Sequence, residues 1–279
     1  MVVKIVTDST ADLPAEVVRS LDIAVVPLYV RFGEELFRDG VDLEVEDFYR
    51  RLTRSALFPA TTAPSPGDFY GVYSRLALET NEILSIHISA KLSGTYNSAL
   101  LGKERLQSKC NVAIVDSLST SLGLGLQVVA AAKAAKAGAS LDELLRMFAR
   151  SVPKAHLFGL LDTLEYLHRG GRIGKAQAFL GTLLNVKPLL EVKEGEVYPL
   201  ARMRNRTRGL NTICDLVKKY PRVDELAVVY STDGQDVEKL VEMLAPVFPK
   251  EKMYRARFGP VLGSHIGPRA VGVALLESQ

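Results

Sequence analysis

The sequence predicts an α/β protein: an N-terminal unit built on a parallel sheet, then a C-terminal mixed α/β unit containing antiparallel strands. Three observations carry this reading. Short apolar runs alternate with helical spacings up to residue 153, the β-α-β pattern of a parallel sheet. Further on, two β-like runs flank the turn Lys193-Glu194-Gly195-Glu196 and pair naturally as a hairpin. The length of 279 residues suits two cores better than one. The expected units are 1–153 and 154–279, divided where a helix ends at Pro153.

Residues 3–6 read as a short buried strand, followed by a helix that Asp12 is placed to cap and Pro14 to enter. A β-rich run covers 23–32. Gly33 and Leu36-Phe37 follow, and helical spacing resumes with Phe48, Tyr49 and Leu52. Prolines and small residues make 59–67 a loop, from which Ser65 caps a helix started by Pro66. Strand 83–88, loop 89–93, helix 94–106 and strand 112–115 repeat the pattern, and loops after such strands form a crevice. The alanine-rich helix 119–137 ends at Gly138, and Ser140 with Glu143 makes a capping box for the next helix. In the second unit a strand at 156–161 precedes a helix at 163–168, stopped by Gly170-Gly171. An apolar helix at 175–184 leads to hairpin strands 188–192 and 197–202. Helix 207–220, strand 226–230, helix 237–248 and two closing β runs complete it.

The chain is 47% apolar and 24% charged, with mean hydropathy +0.10, which describes an ordinary globular protein. A net charge of +3 spread along this length calls for no nucleic-acid partner. Cys110 and Cys214 match no metal or redox spacing and read as reduced, buried thiols. The first residues lack a basic leader followed by a long apolar stretch, and no segment approaches the roughly 20 apolar residues of a membrane span. A cytoplasmic protein is expected.

His87, His156, His168 and His265 lie in separate segments, so no zinc pattern forms and no metal is expected. There is neither a phosphate-binding Gly-Lys loop nor a Gly-x-Ser-x-Gly elbow. Ser93-Gly94 opens a helix after a strand, and three readings stand side by side. Ser93 can cap the helix; its hydroxyl and the Gly94 amide can bind an anion; or Ser93 can be a nucleophile, given a base beside it. Thr61 and Thr62 sit near prolines and are equally suited to local turn bonds. His265 lies in a stretch, 259–268, where three glycines and two prolines impose an unusual backbone path around one titratable ring.

Separated segments nevertheless converge. They are Ile5-Val6-Thr7-Asp8-Ser9-Thr10-Ala11-Asp12-Leu13-Pro14, Thr61-Thr62-Ala63-Pro64-Ser65-Pro66-Gly67-Asp68-Phe69, Ser89-Ala90-Lys91-Leu92-Ser93-Gly94-Thr95-Tyr96, Leu161-Asp162-Thr163-Leu164-Glu165-Tyr166-Leu167-His168-Arg169-Gly170-Gly171-Arg172-Ile173-Gly174 and the His265 segment. In order and spacing, across essentially the whole chain, they resemble the DegV family of bacterial fatty-acid-binding proteins. The resemblance implies a parallel α/β domain packed on a mixed one, with a long-chain fatty acid between them and its carboxylate at the parallel domain. It makes Thr61 and Ser93 carboxylate donors and places His265 near the head group; Thr62 and Gly94 join them by adjacency. Where the family's usual segment reads Thr-Ser-Gln-Pro-Ser, this one keeps Thr61 but has Ala63 in place of a polar side chain.

No cofactor and no catalytic residue are implied. Some family members present the bound acid to a separate fatty acid kinase, which forms an acyl phosphate for phospholipid synthesis, and the resemblance extends that role here. Each buried methylene contributes about 0.8 kcal/mol, so a chain of about fifteen offers on the order of 12 kcal/mol before ordering costs. Phe158, Phe179, Leu180, Leu183 and Leu184 are the candidate channel residues. Arg169, Arg172 and the basic run starting at Arg202 are candidates for an acidic partner face or an anionic membrane surface. The competing reading is an enzyme using Ser93 or His265 in acyl or phosphoryl transfer. A third, regulatory reading puts the run from Arg202 to Arg208 on nucleic acid.

Overall fold

Residues 2–180, 186–232 and 234–278 are described by the structure, a computed structural model. The first half runs β1 (Lys4–Asp8), α1 (Ala15–Ser20), β2 (Ile23–Val26), β3 (Tyr29–Phe32), β4 (Glu35–Arg38), α2 (Val45–Arg54), β5 (Ala60–Thr62), α3 (Pro66–Leu76), β6 (Glu82–His87), α4 (Thr95–Glu104), β7 (Asn111–Asp116), α5 (Ser121–Lys136) and α6 (Leu141–Ser151). Four of these strands pair in parallel in the order β2-β1-β6-β7. Their apolar runs are continuous because both faces are covered. Val6, Ile83 and Val112 meet Phe69 and Tyr73 of α3 on one side, while Ile5, Leu84 and Ile86 meet α5 and α6 on the other.

The run at 23–32 is two strands, not one. Pro27 has no N–H for a ladder, and beyond it the chain leaves the parallel sheet for a second, antiparallel one ordered β4-β3-β5. That sheet captures residues 60–62 from the expected loop, pairing Thr61 with Val30 and Thr62 with Tyr29. Ser65 does cap α3: it accepts the Asp68 N–H at 3.2 Å, and the Asp68 carboxylate accepts the Ser65 N–H at 2.8 Å.

The second half contains β8 (Ala155–Leu160), α7 (Glu165–Arg169), β9 (Lys187–Lys193), β10 (Glu196–Met203), α8 (Arg206–Val217), β11 (Val223–Tyr230), α9 (Gly234–Leu244), β12 (Tyr254–Arg257), α10 (Pro260–Ile266) and β13 (Val271–Glu277). Its mixed sheet is ordered β10-β9-β8-β13-β11-β12, antiparallel except for β11 with β12. The hairpin turn places Glu194 and Gly195 at φ 51° and 80°, the positive values a two-residue turn requires. One face of this sheet packs on α8 and α9. The other lies on α5, where Leu157, Leu190 and Val229 meet Leu122 and Leu126. Helix α5 is thus clamped between the parallel and mixed sheets. Its small residues permit the fit, since a Cβ at Gly125 would stand 2.6 Å from the Ala11 carbonyl oxygen.

Three local expectations change. Asp12 does not cap α1; it adopts φ 50° and its carboxylate is used elsewhere. The predicted helix at 175–184 is a 3-10 turn, Gly174–Phe179, with Leu180 extended. Its residues 181–184 lie outside the described set. The glycine- and proline-rich stretch around His265 is a helix, α10, with Pro260 in its first turn and Gly267, at φ 75°, ending it. Cys110 and Cys214 are free thiols, but only Cys214 is buried; Cys110, just before β7, is partly exposed. Among the described residues no helix is long and apolar enough to cross a membrane.

Candidate functional site

A cavity of about 310 Å³ lies between α5, α10 and the mixed sheet. Leu157, Gly159 and Leu161 of β8 and its exit, with Leu190, Val261 and Leu262, supply an apolar wall. Polar groups enter from Thr61, Thr62, Ser93, Gly94, Thr120, Ser121, Arg172 and His265. An apolar chamber with a few convergent donors suits an amphipathic ligand.

Packing of α10 on α2 and the antiparallel sheet, through Val261 against Val30, Phe48 and Leu52, sets the position of His265. Its Nε2 lies 2.9 Å from Thr61 Oγ1, although the residues are 204 apart in sequence. Nδ1 is buried with no partner among the described residues, and Gly170 presses on it: a Cβ there would stand 2.2 Å away. A stranded N–H is a more severe orphan than a stranded lone pair, so the arrangement fits a proton on Nε2. His265 then donates to Thr61, whose own O–H is free to donate into the cavity. Burial, helped by the nearby Arg172 charge, pushes the His265 pKa down to about 4, so the ring is neutral at pH 7.

Ser93 is not the cap of α4. The tight turn in which Leu92 and Ser93 both donate to the Ser89 carbonyl carries the helix start one residue further, and Gly94 takes the cap position without a side-chain bond. The Ser93 hydroxyl instead lies 2.8 Å from Thr95 Oγ1. Gly94 sits beside β5, its Cβ direction pointing at the Ala63 methyl 4.0 Å away. Thr62 follows Thr61 on a strand and so faces the other way, exposed at the rim.

Arg172 is exposed and, among the described residues, donates only to backbone carbonyls, those of Leu92 at 3.2 Å and Gly170 at 2.8 Å. Its charge reaches the cavity without an ion-pair partner among the described residues. Arg169 and Arg202 do not line the cavity. Arg169 pairs with Glu165 and stacks on Phe58, and Arg202 lies over Phe179 and donates to the Ala178 carbonyl.

Two of the five expected channel residues, Phe158 and Phe179, lie elsewhere. Alternation along β8 turns Leu157 and Gly159 to the cavity, and therefore turns Phe158 into the core under α8 and α9. Phe179 does not line the cavity, Leu180 packs beside the cluster that walls it, and Leu183 and Leu184 lie outside the described residues.

Sequence reasoning missed Thr120 and Ser121. Thr120 Oγ1 is buried without a partner among the described residues, while Ser121, at φ 48°, donates to the Asp12 carboxylate at 2.6 Å. The signal was present: the Ser117-Leu118-Ser119-Thr120-Ser121 run directly follows parallel strand β7. A second polar chain joins Asp8, His87, Ser85 and Tyr73 through contacts of 3.0, 2.7 and 2.8 Å. Its order mimics a nucleophile triad, but every member is fully buried, so it braces the parallel sheet. Among the described residues, no group of three or more His, Cys, Asp or Glu is placed to hold a metal.

A family model described as "Uncharacterised protein, DegV family" matches residues 2–278. A DegV domain-containing protein of Deinococcus radiodurans is 38% identical over 281 residues, spanning 99% of this chain and 98% of its own. Among solved structures, a fatty-acid-binding DegV family protein from Thermus thermophilus is 37% identical with a TM-score of 0.92, each chain fully covered. DegV from Bacillus subtilis, also described as a fatty acid binding protein, is 30% identical with a TM-score of 0.91 and the same coverage.

Proposed function

The chain belongs to the DegV family, and on that premise we propose that it binds a long-chain fatty acid in this cavity. One observation carries the reading: a hydroxyl oriented by a neutral histidine stands at a chamber with an apolar wall. In this assignment residues 1–153 hold the carboxylate and 154–279 cover the tail. Thr61 and Ser93 donate to the carboxylate, His265 orients Thr61, and Thr62 and Gly94 complete the rim. A carboxylate removed from water needs such bonds, and hydroxyls supply them without a salt bridge. Tail burial, at about 0.8 kcal/mol per methylene, supplies the affinity. Arg172 adds a favourable potential for an anion at the entrance.

The geometry favours binding over catalysis. His265 has one nitrogen engaged by Thr61 and the other closed by Gly170, which leaves no ring nitrogen free to act as a base toward Ser93. The protein acts in the cytoplasm and presents the acid's carboxylate to a separate kinase, which makes the acyl phosphate. Arg169, Arg172 and Arg202 then face that acidic partner or an anionic membrane during lipid exchange.

Native mass spectrometry of the purified protein, followed by extraction and identification of the released molecule, tests the reading. A stoichiometric fatty acid is expected, retained less well by Ser93→Ala. Repeatedly empty preparations that also fail to take up added fatty acid would overturn it, and an intrinsic turnover abolished by Ser93→Ala would favour the enzyme.

A further inference from the structure

Between this cavity and a separate cleft of about 620 Å³, two carboxylates meet the start of α10 from different parts of the chain. Asp12, 8% exposed, lies in the turn after β1 and accepts the Gly259 N–H at 2.9 Å as well as the Ser121 hydroxyl. Asp39, 4% exposed, follows β4 and stands beside Gly259 at the first turn of α10. They close on Gly259 so tightly that a Cβ there would stand 3.1 Å from Asp12 Oδ1 and 3.3 Å from Asp39 Oδ1. Nearby cations are committed elsewhere: Arg257 to Glu46 and the Ser231 carbonyl, Arg255 to Glu238. Arg19 is exposed at the edge of the cleft.

Two buried carboxylates this close, with no counter-ion, do not both ionise readily. We propose that Asp12 and Asp39, flanking the start of α10, hold one proton between them, forming a clasp that positions His265 and loosens when that proton is lost. The cleft, lined by both side chains, gives the proton its route to solvent. Burial pushes Asp39 up to about 7 and Asp12 well above the usual carboxylate range, and Asp8 reinforces both.

Other groups face the pair. Asp8, from β1, is engaged by His87, Thr10 and the Ile88 N–H. Tyr49, from α2, is itself raised by burial and stays protonated, and Arg257 lies over its ring. Because the folded-state pKa values lie above the unfolded ones, the clasp's contribution is full below the ordinary carboxylate range and is lost as pH rises through about 7 and beyond. One linked proton sets a ceiling of roughly tenfold per pH unit.

The test follows melting and the affinity for a fluorescent fatty acid from pH 5.5 to 9, in the wild type and in Asp39→Asn, whose amide imitates the protonated acid and cannot ionise. The wild type should melt lower and bind roughly tenfold or more weakly at the alkaline end, and Asp39→Asn should flatten both profiles. Flat wild-type profiles, or an undiminished slope in Asp39→Asn, overturn the proposal. If the variant does not fold, carboxyl-carbon NMR of the wild type decides: an aspartate titrating near or above neutrality supports the clasp, and none doing so refutes it. The affinity arm rests on the fatty-acid reading, but the melting arm does not. Absence of binding at every pH with a sloping melt refutes that reading and supports the shared proton. A sloping melt with flat affinity refutes the link to His265.

Discussion

Replacing Thr61 by valine keeps the shape of the side chain and deletes the hydroxyl that faces His265 at 2.9 Å. In the empty protein the change removes one neutral hydrogen bond and strands a buried ring nitrogen, an expected loss of about 1–3 kcal/mol in unfolding free energy. On the proposed assignment it also removes a donor to the bound carboxylate, and bonds to charged groups contribute about 1.5–3 kcal/mol. The dissociation constant should therefore rise roughly tenfold to a hundredfold. Displacement of a fluorescent fatty acid at one fixed pH measures it, in Thr61→Val, His265→Ala and the double variant. Because the two residues act as one unit, the double variant should lose clearly less than the sum of the single losses. Binding by Thr61→Val within twofold of the wild type, or strictly additive losses, would refute the relay from ring to hydroxyl to ligand.

A methyl group at position 170 would overlap His265 Nδ1, so Gly170→Ala should swing the ring away from Thr61 and weaken binding about tenfold, a loss comparable to one hydrogen bond to a charged group. An unchanged His265 ring NMR signal would contradict this. Gly159 has only the Leu161 methyl, at 3.5 Å, near its Cβ direction, so alanine is tolerated there while leucine fills the chamber. Gly159→Leu should shift the acids that co-purify toward shorter chains; an unaltered mass-spectrometric distribution would count against the cavity as the acyl chamber.

Much of the fold was legible because its signals are local. Short apolar strands between helical spacings announced the parallel sheet, and Glu194-Gly195 announced the hairpin. The antiparallel sheet was hidden because Pro27 splits a uniform β-rich run and the pairing of Thr61 with Val30 is made across the intervening α2. Helix α10 was hidden because its glycines suit a loop equally well. Only tertiary packing on Phe48 and Tyr49, which leaves no room for a Cβ at Gly263, explains why that glycine stands inside the helix, with Gly259 and Gly267 at its ends. Thr61, Ser93 and His265 could be named together only through resemblance, since neither spacing nor composition brings residues 61 and 265 into contact. The misplacement of Phe158 has a simpler cause: a one-residue choice of strand face exchanges wall for core.

The central place of β13 also governs how the molecule is made. Before it inserts, β10-β9-β8 and β11-β12 are two partial sheets with no ladder between them, and β8 and β11 each present an open edge. Joining them requires closure of a long loop, since β8 and β13 are far apart in sequence, and such non-local pairing slows folding. Until it occurs, the apolar surfaces destined to cover α5 and the cavity are exposed beside unpaired backbone, a species prone to aggregate with its own kind. Late entry of this strand, more than the strength of any one contact, should set the yield of refolding at high protein concentration.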